Sequence, residues 1–208
     1  KLILYIFTGF LIVLTFLRTN EWKDLESINR NIADMNPNSA YAQLSAAYIE
    51  IDAGNIEMAT NYLEAAEQSG EENSELLMMK GKAYYQIQKN ADALKNFQKA
   101  HIAGSKENEL DKFLALSYFV NNNFDSAASY FSKVIEKDTI LSAENLRNRA
   151  ICNYYLENFQ RAIDDYSLIL TVDSTLGNVY SERGVCFQKI NDLEKACADW
   201  HLAVKYGY

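Results

Sequence analysis

One pattern constrains this chain more than any other. Ala59, Ala93, Ala127, Ala162 and Ala196 stand 34, 34, 35 and 34 residues apart. Four residues after each comes a large apolar side chain (Leu63, Phe97, Phe131, Tyr166, Trp200), and three further on a small or aliphatic one (Ala66, Ala100, Val134, Ile169, Ala203). A second series precedes each Ala: Ser45 with Tyr48, Gly81 with Tyr84, Ala115 with Tyr118, Ala150 with Asn153, Gly184 with Phe187. Short polar turns such as "QKNAD", "NNNFD" and "KIND" separate the two series. Spacings of three, four and seven put the apolar residues on one face of a helix. The unit is therefore a helix–turn–helix in which small residues let two antiparallel helices approach and large ones fill the space beside them. One such hairpin cannot bury its faces alone, so the units must stack. The first unit is read with two extra residues near Ile51–Gly54.

These residues resemble the tetratricopeptide repeat (TPR) family, whose pattern runs aromatic, Leu-Gly, Tyr, Ala, large apolar, small, Pro. The second-helix positions match in all five units. Gly is kept only at Gly81 and Gly184, and Glu71, Ser105, Thr139 and Ser174 stand where the family has Pro. The resemblance implies an all-α fold, a right-handed α-α superhelix or TPR solenoid. Its five units would fall at about 38–73, 74–107, 108–142, 143–176 and 177–208.

A half unit comes first, at 20–37. "EWKDLESINRNIADMNPNSA" places Trp22, Leu25, Ile28, Ile32 and Met35 on one helical face and closes on Asn36-Pro37-Asn38. Before it stands "LILYIFTGFLIVLTFL", Leu2–Leu17, without a charge. An apolar surface on every side calls for lipid or a very large core. Three readings stay open: a membrane-spanning helix over 1–19, cut at its start; a signal peptide; a buried core helix. The first is preferred, so the chain is expected at a membrane, held through Leu2–Leu17, with Trp22 as an interfacial anchor. Lys1 in place of Met reads as a start lying upstream, and Gly207 as a helix stop near a natural end. The junction, with Trp22 and Asp24, is similar to the last span of multi-pass TPR-containing glycosyltransferases. In that reading the catalysis resides upstream of Lys1.

Two repeats carry matched charges. Arg149 and Arg183 occupy one first-helix position, and Asp165 and Asp199 one second-helix position. The other units have neither: Leu44, Lys80 and Leu114 go with Tyr62, Asn96 and Tyr130. Charges that come and go together predict structural ion pairs, Arg149–Asp165 and Arg183–Asp199, rather than ligand contacts. First helices of TPR proteins line a concave groove, which by the resemblance holds Tyr85, Lys112, Phe119, Arg147, Tyr154 and Tyr155. Aromatics with cations suit a bound peptide or helix, but packing between neighbouring first helices explains the same rings. The Lys and Asn set with which some TPR proteins hold a C-terminal carboxylate is not reproduced.

Other functions find little support. A net charge of −8 argues against nucleic acid, which needs a basic face. Cys152, Cys186 and Cys197 form no disulfide framework, and Cys197 with His201 is half a metal site at most. There is no Gly-rich phosphate loop, nucleophile elbow or HExxH. No catalytic residue, cofactor or metal is expected. The reading is a bacterial, membrane-tethered scaffold for a protein or peptide partner. Self-association through Leu202, Val204 and Tyr206 of the last unit is a further expectation.

Overall fold

The computed structural model describes residues 25–70, 72–106, 109–138 and 142–208. Among the described residues every regular element is a helix. They fall into two compact units, the first ending at Gly104 and the second covering Ser105–Tyr208.

The first unit contains α1 (Leu25–Met35), α2 (Ala40–Asp52), α3 (Ile56–Gln68), α4 (Ser74–Gln86) and α5 (Asn90–Ile102). The pairs α2–α3 and α4–α5 are hairpins; α1 packs on α2, and α2 also touches α4. The second unit contains α6 (Leu110–Val120), α7 (Phe124–Lys137), α8 (Ala143–Tyr155), α9 (Phe159–Val172), α10 (Gly177–Lys189) and α11 (Leu193–Lys205). Its hairpins are α6–α7, α8–α9 and α10–α11, and each packs on the next through α7–α8 and α9–α10.

All five hairpins turn in the same way. A residue with left-handed backbone closes the first helix: Gly54, Gln88, Asn122, Glu157 and Asn191 have φ between 59° and 78°. Its successor's N–H reaches back five residues, from Asn55 to the Glu50 carbonyl, Lys89 to Tyr84, Asn123 to Tyr118, Asn158 to Asn153 and Asp192 to Phe187. This is the Schellman arrangement, which satisfies carbonyls the helix end would leave open. The turn also fixes the register of the first repeat. Helices α2, α3, α4 and α5 each have 13 residues, so no insertion lies near Ile51–Gly54. Ala47 and Glu50, not Ser45 and Tyr48, are the counterparts of Gly81 and Tyr84, and Ala46 rather than Leu44 matches Arg149.

The repeated second-helix positions form the core. Ala59, Leu63, Ala66, Ala93, Phe97, Ala100, Ala127, Phe131, Ala162, Tyr166, Ile169, Ala196 and Ala203 are buried. Their opposite numbers have to be small. A Cβ on Gly81 would lie 2.5 Å from Phe97 Cε1, and one on Gly184 would lie 2.7 Å from Trp200 Nε1.

Two expectations change. The stripe read along α1 is buried only in part: Ile32 and Met35 are exposed, while Ala33 is fully covered. The reason is that α1 meets α2 through Ala33 and Arg30. Arg30 Nε donates to the Glu50 carboxylate, and Gln43 Nε2 donates to the Ala33 carbonyl at 2.8 Å. Second, the membrane location is corrected, because no helix among the described residues is long and apolar enough to cross a membrane. The segment Leu2–Leu17 and the anchor Trp22, which carried that expectation, lie outside the described residues.

Candidate functional site

Each of the two matched arginines joins three helices. Arg149, on α8, donates from Nε and Nη2 to the Asp165 carboxylate on α9 at 3.0 and 2.6 Å. Its Nη1 donates to Ser132 Oγ on α7 at 3.1 Å. Arg183, on α10, repeats the geometry with Asp199 on α11 (2.8 and 2.8 Å) and Ser167 on α9 (3.0 Å). Planar guanidinium against planar carboxylate gives two parallel charge-assisted bonds. The hydrogen bonds to Asp165 hold the Arg149 proton more firmly than usual, against the opposing effect of burial. The serines complete the clamp and link each repeat to the one before.

The first-helix residues of the second unit divide by role. Phe119 lies edge-on to Phe124 and Phe131, at 6.0 and 6.4 Å. Tyr154 packs edge-on against Phe159 at 5.6 Å. Both are half-buried and serve their own hairpins. Tyr155 behaves differently. It stacks on Phe124 at 4.4 Å with the rings within 10° of parallel, yet 59% of it remains exposed. Phe124 opens α7 and Tyr155 ends α8, so the stack joins two successive repeats.

Lys112, on α6, is half-exposed and makes no ion pair among the described residues. Arg147, on α8, is already engaged. Its Nε donates to Glu182 Oε2 at 2.9 Å, and Nη2 donates to the other carboxylate oxygen. Glu182 was not among the residues read from the sequence. Tyr85 sits half-buried on α4 of the first unit.

Cys152 and Cys186 are buried at equivalent places, and burial pushes their thiols up to about 12 and about 11. Cys197 is exposed, and its carbonyl lies 2.6 Å from His201 Nδ1. Among the described residues no group of three or more His, Cys, Asp or Glu is placed to hold a metal ion.

A family model for the tetratricopeptide repeat matches residues 44–108 and 114–174. No curated protein sequence matches the chain. Among solved structures, MamA MSR-1 aligns with a TM-score of 0.69 at 17% identity, over 80% of this chain and 95% of that one. MamA AMB-1 gives 0.68 at 17% identity, over 80% and 90%. YrrB, described as "a TPR protein with an unusual peptide-binding site", gives 0.70 at 16% identity, over 86% and 92%. At these identities the likeness is one of fold. None of these matches supports membrane anchoring or the glycosyltransferase resemblance of the junction. The repeat model covers more than half of the residues, and the chain belongs to the tetratricopeptide repeat family.

Proposed function

We propose that this chain is a protein–protein interaction scaffold that holds a peptide on the first helices of its second unit. The five units at 38–73, 74–107, 108–142, 143–176 and 177–208 are the frame of that reading. The observation that carries it is the Tyr155 ring, 59% exposed and held flat on Phe124. A rigid aromatic with one face covered and the other open loses little entropy on binding, which is why such residues anchor interfaces. Lys112 supplies a cation, Phe119 and Tyr154 fix the shelf from behind, and Arg147 with Glu182 gives a polar border. Tyr85 has the corresponding place in the first unit. Peptide binding by YrrB, a protein of the same fold, favours this reading.

The test is selection of a peptide from a random library on the whole chain, followed by calorimetric titration. Tyr155→Ala is expected to weaken binding at least tenfold with the fold intact. Unchanged affinity would remove Tyr155, and the shelf with it, from the site.

Self-association is a second reading. It is favoured by Val204 on α11, which is 73% exposed where its counterpart Leu170 is covered by α10. A monomeric mass unchanged by Val204→Asp at high concentration would dismiss it.

A further inference from the structure

One position shared by the five hairpins decides how the space beside the first helix is filled. It is the residue whose carbonyl accepts the turn's closing hydrogen bond: Glu50, Tyr84, Tyr118, Asn153 and Phe187. Three of these carry rings. Tyr84 is 4% exposed, Tyr118 stacks on Tyr130 at 5.6 Å, and Phe187 lies against the cations of Arg183 and Lys195. Glu50 carries a carboxylate instead, which Arg30 and Asn55 satisfy within the first unit.

Asn153 has neither solution. It is 5% exposed, and among the described residues no group hydrogen-bonds its side-chain amide. Its polar atoms are not sealed off as Ser117 Oγ and Asn145 Oδ1 are, and they stay open to the cleft they line. Where other repeats place a ring, an open cleft of about 430 Å³ lies between α7, α8 and α9, with Asn153 on its wall.

The rest of the lining points to a chemistry. Arg149 belongs to this wall, and three of its five donors go to Asp165 and Ser132. Arg161 and Asp125 also line the cleft, and among the described residues neither has a charged or hydrogen-bonding partner. Asp164 accepts from Gln160 Nε2 at 2.9 Å. A lone anion such as phosphate would face three carboxylates here, and a lone cation would face two guanidinium groups. A molecule carrying both signs avoids either repulsion. A primary amide offers one acceptor and donors beside it, the complement of a peptide group.

We propose that the cleft is a second binding site, for a short zwitterionic peptide. The ligand's amide pairs with Asn153, its carboxylate with Arg161 and its ammonium group with Asp125. The volume lies within the range of small-ligand clefts. None of Lys112, Phe119, Arg147, Tyr154 or Tyr155 lines it, so the site stands or falls independently of the first-helix shelf.

The experiment is NMR titration of the ¹⁵N-labelled whole chain with the dipeptide alanyl-alanine. The Asn153 side-chain amide signals are expected to shift saturably at millimolar ligand. N-acetyl-alanyl-alanine amide, which has lost both charges, is expected to bind at least tenfold more weakly, and inorganic phosphate to leave the signals in place. Asn153→Tyr restores the ring of the other repeats. It is expected to keep or raise the melting temperature and to abolish the dipeptide shifts at the Ser129 and Asn158 amides. Arg161→Ala, on an exposed side chain, is expected to weaken binding about tenfold without unfolding. Absence of a saturable shift at Asn153, equal binding by Asn153→Tyr, or phosphate bound as tightly as dipeptide would each overturn the proposal.

Discussion

At the scale of single residues, polar groups inside the hairpins carry consequences out of proportion to their number. The side chain of Asp165 is 7% exposed and that of Arg149 23%, so removing either strands a charge that water reaches poorly. Arg149→Ala and Asp165→Ala are each expected to cost about 3 kcal/mol. A double-mutant cycle by urea unfolding should give a coupling of about 2 kcal/mol; zero coupling would mean the pair is incidental. Glu50 makes a pH prediction. Burial pushes its carboxyl up, but hydrogen bonds from Asn55 and Arg30 outweigh this and hold it below the ordinary 4.5. A depressed folded pKa stabilises the protein above the unfolded value and loses that contribution as pH falls through the folded one. Stability of the wild type is therefore expected to drop below pH 4.5 more steeply than that of Glu50→Gln, as measured by denaturant midpoints. The Arg–Asp geometry was legible because it occurs twice, one repeat apart. Ser132 and Ser167 lie 35 residues apart, one off the 34 of the Arg and Asp pairs, and were hidden, since serine is common on exposed helix faces. Glu182 had no repeated counterpart to reveal it, and Glu50 was missed because a shifted register put Tyr48 in its place.

At the scale of the element, helix ends and close contacts set the hairpin. Glu157 takes a left-handed backbone with φ of 61°. A side chain there costs roughly 1 kcal/mol, partly offset because glycine gains freedom in the unfolded chain. Glu157→Gly is expected to stabilise the second unit by about 0.5 kcal/mol, readable as a higher melting temperature. Gly81→Ala should do the opposite in the first unit. The new methyl would press on the fully buried Phe97 ring, at a cost of about 1–2 kcal/mol by urea unfolding. The helix pairs were readable because the core imposes small and large residues at fixed intervals. The turn was less so, because only Asn122 and Asn191 of the four left-handed residues are of a type that favours this backbone, and Gln88 and Glu157 are not. Helix α1 was read too simply. Apolar spacing suggested Ile32 and Met35 as its inner face, whereas Ala33 and the Arg30–Glu50 pair choose the contact.

At the scale of the molecule, sequence shows its reach and its limit. Five in-phase copies determine five hairpins, which pack on one another within each unit, and repetition supplies its own controls: a position that changes in one copy stands out against the others. Asn153 is legible in that way, as a polar residue where three repeats carry a ring. The apolar run Leu2–Leu17 has no second copy, and composition alone led to a membrane location that the described helices do not support. Function depends on which side of the hairpins a partner touches. Hydrogen–deuterium exchange on the whole chain, with and without a library-selected peptide, reads that side directly. The account predicts new protection on α6, α8 and α10 around Lys112, Tyr155 and Glu182. Protection confined to α7, α9 and α11, or none at saturating peptide, would contradict it.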